Sequence, residues 1–317
     1  MKMMRILSVA VPFAAFMISG QGQLLPTMTS PFEGRWDMVL TAPDGSTSPR
    51  WMDYVEGRDP LIRIQPAGGS VHPAYDVDVD GSHITLVMSK GTEKRPAVTW
   101  DLKIKNKVIT GTQKSGDQIS QIKGVKAPEL KREVTPKVWS KPESIFNGGD
   151  LTGWEPTSAD AKNNWVAEGG MLVNTSHGAN IRTTRKFEDF KLHIEFNCPE
   201  DGNSGIYLRG RYEVQVEYEK VDANDPYHTM GSIYGFLAPA TALPRTPGVW
   251  ETFDITLVGR NVTIVRNKIK TIDDREIPGI TGGALDSNEG EPGPFYIQGD
   301  HTGGMKYRNI TIQLPKQ

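Results

Sequence analysis

Cysteine is nearly absent: the single thiol, Cys198, excludes an intrachain disulfide framework and any zinc site built on several thiolates. Excess charge of either sign is missing too, with 36 Lys and Arg against 38 Asp and Glu and a formal net charge of -2. No basic block stands out, which argues against nucleic acid or an anionic membrane surface as the main partner. Long hydrophobic runs are missing beyond the first residues, and no convincing amphipathic helical repeat appears. Chain punctuation is abundant instead. The 33 Gly and 22 Pro leave little room for long helices and point to an all-β, turn-rich protein. At 317 residues the chain exceeds the usual single-domain size, so two domains are expected.

At the start, Lys2 and Arg5 precede an apolar stretch over 6–18 and the small-residue site Gly20-Gln21-Gly22. This is the layout of a secretory signal peptide over 1–22. The run of roughly 13 apolar residues is short of the ~20 that span a bilayer, and no cysteine follows it to carry a lipid. A periplasmic or extracellular location is therefore expected, with no membrane span in the mature chain.

Over 30–126 short apolar runs alternate with turns, at 35–40, 61–65, 74–79, 83–88, 97–104, 108–112 and 118–125. They read as strands in hairpins, with Asp80-Gly81 as a two-residue turn. So many short strands in so short a stretch predict a small β-barrel or sandwich. Gly34-Arg35-Trp36 resembles the opening of lipocalin-like barrels. Pro128, Pro136 and Pro142, interspersed with charges, mark 127–142 as a linker.

The remainder, 143–315, carries strand patterns whose spacing fits a two-sheet jelly roll. Lys191, His193, Glu195 and Asn197 alternate with Leu192, Ile194, Phe196 and Cys198, so Cys198 reads as a small core residue. Along 207–218, an unbroken strand would place Tyr207, Arg209, Arg211, Glu213, Gln215 and Glu217 on one face, opposite Leu208, Tyr212, Val214 and Val216. Such a face is either a solvated exterior or the lining of a sugar cleft, in which Arg and Glu hold hydroxyls and Tyr offers a ring.

Seven ordered motifs bear on that choice. They are Phe146-Asn147-Gly148-Gly149-Asp150-Leu151-Thr152-Gly153-Trp154, Asn203-Ser204-Gly205-Ile206-Tyr207-Leu208-Arg209-Gly210, Tyr212-Glu213-Val214-Gln215-Val216, Gly231-Ser232-Ile233-Tyr234-Gly235, Pro247-Gly248-Val249-Trp250, Tyr296-Ile297-Gln298-Gly299-Asp300-His301 and Tyr307-Arg308-Asn309-Ile310-Thr311-Ile312. Together they resemble the bacterial 3-keto-disaccharide hydrolase domain over about 144–313. The resemblance implies a concanavalin-A-like jelly roll that cleaves glycosides whose sugar is already oxidised at C3. A sugar 3-dehydrogenase is then the implied functional partner, and a carbohydrate the substrate.

A C3 ketone acidifies the hydrogen on C2, so a base can remove it and the C1 substituent can leave by β-elimination before water adds to the enone. That chemistry needs a base, a donor for the enolate oxygen and an acid for the leaving group. His301 is the candidate base, with Asp300 or Glu213 orienting it or acting in its place. Arg209, Gln215, Glu217, Tyr234, Trp250 and Gln298 are candidate substrate contacts. No cofactor motif is visible. A divalent metal is left open through His193, Glu195, Glu213 and His301 converging from separate strands.

Two other readings stand beside this one. Glu213-Val214-Gln215-Val216-Glu217 resembles the Glu-x-Asp-x-Glu strand of jelly-roll glucanases, although Gln215 replaces the central acid. Residues four apart on a strand also lie ~13 Å apart, against the ~5 Å carboxyl separation of a retaining pair. A carbohydrate-binding protein without catalysis is the non-enzymatic alternative.

Overall fold

The computed structural model describes residues 29–130, 138–219 and 225–316. The predicted leader over 1–22 and the middle of the predicted linker lie outside them. Among the described residues the regular structure is all strand, apart from one short 3-10 turn at Pro226–His228.

The first unit is a single antiparallel sheet of Gly34–Thr41, Thr47–Val55, Leu61–Gln65, His72–Pro73, Asp76–Asp80, His83–Ser89, Val98–Lys105, Val108–Ser115 and Gln118–Lys126. Its first strand pairs with its last. Its two edges are the two halves of one segment, 72–80. The first half pairs with Leu61–Gln65 and the second with His83–Ser89, and Ala74 N and Tyr75 N bond to opposite neighbours, Ile62 O and Val87 O. The sheet therefore closes into an up-and-down barrel without a free edge. Its interior is packed with Trp36, Met52, Ile64, Leu86, Trp100 and Leu102, so side chains fill it.

Thr47–Val55 is a strand that the hydrophobic pattern does not reveal, because Pro49 interrupts the alternation. Pro49 is tolerated there because Leu61–Gln65 pairs only with 51–55, leaving Pro49 a neighbour on one side.

The second unit is a two-sheet sandwich. The larger sheet runs Trp165–Glu168, Met171–Asn174, Lys306–Gln313, Phe190–Asn197, Trp250–Val258, Asn261–Arg266 and Ile269–Glu276, with Glu143–Ser144 also bonded to Lys306–Gln313. The smaller runs Trp154–Pro156, Ile181–Thr183, Tyr296–Ile297, Asn203–Leu208 and Tyr212–Glu217. Phe190, Leu192, Ile194, Phe196 and Cys198 point inward from the larger sheet and meet Ile206, Leu208, Val214 and Val216 from the smaller. This is the jelly-roll core that the alternation predicts. Burial pushes the Cys198 thiol up to about 12, which leaves it inert as a nucleophile.

The two units share a packed seam. Trp51 leaves the barrel to join the sandwich core, edge-on to Phe236 at 5.5 Å between centroids. Arg35 of the barrel pairs with Glu276 at 2.6 Å, and Gly283 N donates to Ala67 O at 2.7 Å.

Candidate active site

The hairpin of Asn203–Leu208 and Tyr212–Glu217 sets out the site. Its register places Tyr207 opposite Glu213, Gly205 opposite Gln215 and Asn203 opposite Glu217. Period-two alternation then sends these side chains away from the core that Ile206, Leu208, Val214 and Val216 enter. Gly205 is required by close approach: a Cβ there would collide with Glu213 Oε1, so only glycine lets the carboxyl lie across the partner strand.

Arg209 does not share this face. Arg209 and Gly210 have φ of 52° and 68° and Arg211 N bonds back to Leu208 O at 3.1 Å. This is a tight turn with two left-handed residues, the geometry that matches strand twist in a hairpin. The alternation therefore breaks after Leu208. The Arg209 guanidinium is fully buried away from the cleft, donating to Tyr212 Oη at 3.0 Å and Gly259 O at 3.1 Å. Arg211 pairs with Asp286 at 2.7 Å. Trp250 is also elsewhere, on the larger sheet beneath the Arg308 guanidinium at 3.9 Å.

The cleft, of about 390 Å³, is walled by Tyr207, Glu213, Gln215, Glu217, Tyr234, Gln298, Asp300 and His301. Its described lining residues include no Lys or Arg, which suits a neutral, hydroxyl-rich ligand.

Glu213 is the buried centre of the site. Its Oε2 lies 2.8 Å from Tyr207 Oη, and its Oε1 accepts from Gln215 at 3.2 Å when that amide is turned to donate. Tyr207 Oη also lies 2.7 Å from Gly282 O and receives Gln298 Nε2 at 3.0 Å. One phenolic proton faces two acceptors, and a proton on Glu213 satisfies both. Burial pushes the Glu213 carboxyl up to about 8, in agreement with that count. Tyr207 stacks on Tyr296 at 4.0 Å between ring centroids.

His301 stands on a loop held by Asn180. Asn180 Oδ1 accepts from Gly299 N at 2.7 Å and Asp300 N at 3.1 Å, while its Nδ2 donates to Asp300 Oδ2 at 3.1 Å. Asp300 Oδ1 takes His301 Nδ1 at 2.9 Å, leaving Nε2 without a partner among the described residues. The hydrogen bond to Asp300 raises the imidazole above its ordinary value, against an opposing effect of burial. Burial acts to raise Asp300, but its bonds to His301 and Asn180 outweigh it and hold the carboxyl low.

Glu217, 2% exposed, has an Oε2 with no partner among the described residues and is pushed up to about 7 by burial. Gln298 Oε1 is likewise buried and unpaired. Both are buried acceptors left without a hydrogen-bond donor among the described residues.

The four residues considered for a metal do not converge. His193 pairs with Asp254 at 2.7 Å and Glu195 with Arg308 at 2.7 Å on the larger sheet, whereas Glu213 and His301 face the cleft on the smaller. Among the described residues no group of three His, Cys, Asp or Glu side chains could hold a metal ion.

Sequence reasoning misses His228, Asn203, Glu219 and the glycines 68, 69, 282 and 283, all of which line the cleft. His228 Nδ1 meets Asp225 Oδ2 at 2.5 Å and its ring lies edge-on to Tyr234 at 4.6 Å. Its Nε2 bonds Ser70 Oγ of the barrel. Asn203 opens one of the family motifs but is not singled out within it; the others stand outside those motifs and outside any alternating strand, so their sequence carries no signal.

A jelly roll bearing a hydroxyl-binding cleft with buried carboxyls on one sheet has the build of a carbohydrate-acting protein. The chain belongs to the 3-keto-alpha-glucoside-1,2-lyase-like domain family, which matches residues 141–313, and it is a carbohydrate-acting enzyme. No curated protein matches the chain. Among solved structures it is similar to a candidate glycosyl hydrolase from Parabacteroides distasonis, with 28% identity, 57% of this chain and 93% of that one covered, and a TM-score of 0.47. A second candidate glycosyl hydrolase from that organism is 20% identical over 54% of this chain and 93% of its own, at 0.43. Beta-agarase A from Zobellia galactanivorans is 10% identical over 60% and 97%, at 0.35. The barrel lies outside the family match.

Proposed function

We propose that the protein cleaves 3-keto-glycosides by elimination across C1 and C2 followed by hydration. The observation that carries this reading is the pairing, in one cleft, of an Asp-held imidazole with a buried carboxyl that keeps its proton near neutral pH. His301 Nε2 takes the C2 proton, and the electron pair moves onto the C3 oxygen as an enolate. Protonated Glu213, once its proton turns from Tyr207 Oη to the substrate, is the donor for that oxygen, a role suited to a carboxylic acid kept neutral by its surroundings. When the ketone re-forms, the C1–O bond breaks and the leaving oxygen takes up a proton. Water then adds to the enone, so that the net change is hydrolysis. Glu217, Gln215, Gln298 and Tyr234 hold the sugar, and Asp300 fixes the tautomer of His301. The chemistry requires a sugar 3-dehydrogenase to supply the ketone. An exported protein, as the leader pattern implies, would meet this substrate outside the cytoplasm.

The test is a paired assay. A 3-keto-glucoside and its unoxidised parent are offered to the purified protein, and release of the leaving group from the keto form alone is expected. Release from the parent would favour a conventional glycosidase, and binding of both without release a binding protein.

A further inference from the structure

The barrel belongs to no part of the family match, yet its loop over 66–71 reaches the cleft. Gly68 and Gly69 stand among the lining residues. Five contacts fix the loop there. Gln65, fully buried, donates from Nε2 to Pro66 O at 2.9 Å and Gly69 O at 2.8 Å. Gly283 N reaches across from the sandwich to Ala67 O at 2.7 Å. A Cβ on Gly282 would strike Gly69 O, so the two backbones touch. Ser70 Oγ bonds His228 Nε2, whose other ring nitrogen is taken by Asp225. Both His228 nitrogens are thereby engaged, one from each unit, and the ring is held against Tyr234.

We infer that this barrel loop is a wall of the substrate cleft and that it selects glycosides by the size of what departs from C1. Ser70 acts as a positioning residue, holding His228 as part of the same wall. The inference rests on the reading of the cleft as a 3-keto-glycoside site. The keto ring must lie against His301 and Glu213 for its C2 hydrogen and C3 oxygen to meet them. The loop runs past both ends of the lining: Gly69 packs on Gly282, whose O lies 2.7 Å from Tyr207 Oη beside Glu213, and Ser70 reaches His228. Glycine there leaves room for a second ring and exposes backbone polar groups to its hydroxyls. The volume, about 390 Å³, lies near the lower end of ligand pockets, which suits a disaccharide or a small aryl glycoside.

Gly68 allows a clean test, because it lies outside the left-handed region and an added Cβ meets nothing within 4 Å. Gly68→Trp should fold normally and fill the wall side of the cleft. Its kcat/KM on the 3-keto form of a glucose disaccharide should fall at least about tenfold, while that on methyl 3-keto-glucoside stays within about twofold. Ser70→Ala should raise KM for the disaccharide with little change in kcat, and Ser70→Thr should restore it. Equal losses on both substrates, or none on either, would overturn the wall. Should the wild type cleave neither keto-glucoside, the reaction itself is wrong. Calorimetry with unoxidised trehalose then reads the wall alone: weaker binding by Gly68→Trp sustains it, and equal binding or none by both proteins overturns it.

Discussion

The proposed reaction needs Glu213 with its proton and His301 without one. As a base His301 must be neutral, and its hydrogen bond to Asp300 raises it above the ordinary imidazole value of 6.5, so the rate should climb with pH through a midpoint above that value. As a donor Glu213 must keep its proton, which it loses at about 8, so the rate should fall again through that region. A narrow bell in kcat/KM between pH 5 and 10 is expected, its two limbs belonging to the interacting pair. Glu213→Gln retains a donor but cannot ionise. It should flatten the alkaline limb and lower kcat, by less than the roughly 10²–10³-fold that outright loss of an oxyanion donor costs. His301→Ala should cost about 10²–10⁴ in kcat with an unchanged melting temperature, since the ring is partly exposed on a loop. A pH profile identical to wild type in Glu213→Gln would remove Glu213 from the chemistry.

Elements decide which of these residues can meet. Within one strand, period-two alternation carries Glu213, Gln215 and Glu217 to the same face, and that much was legible from residue order. The extension to Arg209 and Arg211 failed because two left-handed residues, Arg209 and Gly210, reverse the chain at the hairpin tip. Backbone turns of this kind usually announce themselves as Asn-Gly or Asp-Gly, and Arg-Gly does not. Gly205 belongs to the same hairpin. Gly205→Ala should push the Glu213 carboxyl from its seat, costing roughly 1–3 kcal/mol of stability as an overpacked site and lowering turnover on the keto-glucoside at least tenfold, as read by thermal melting and the paired assay. The barrel strand Thr47–Val55 is hidden for a different reason. Its Pro49 breaks the pattern, and only the pairing geometry shows that this position needs no donor on its open side.

At the scale of the whole molecule the seam joins barrel and sandwich through both packing and charge. Trp51→Ala would remove the barrel's one large insertion into the sandwich core, a truncation of the kind that costs about 3–5 kcal/mol. Separate barrel and sandwich transitions in calorimetry are the expected sign of uncoupling. Asp37 of the barrel is buried beside Glu289 of the sandwich. Burial and the neighbouring carboxylate raise Asp37 well above the usual range, while Arg260, at 2.7 Å from Glu289, overcomes the burial of that partner and holds it low. A group raised in the folded state contributes stability below its unfolded value and loses it as pH rises through the folded one. The melting temperature should therefore decline from pH 5 toward pH 9, and Asp37→Asn should flatten that decline. A slope unchanged by the substitution would place the titration elsewhere.

Residue order alone determined the all-β class, the core face of Phe190–Asn197 and the family motifs over about 144–313, because each depends on alternation or spacing within a few residues. The tertiary structure alone decided that Arg209 and Trp250 lie outside the cleft and that His228, Gly68 and Gly69 lie within it. Ser70 and His228 are 158 positions apart in the chain. Their meeting depends on how two separately packed cores dock, which local pattern does not encode.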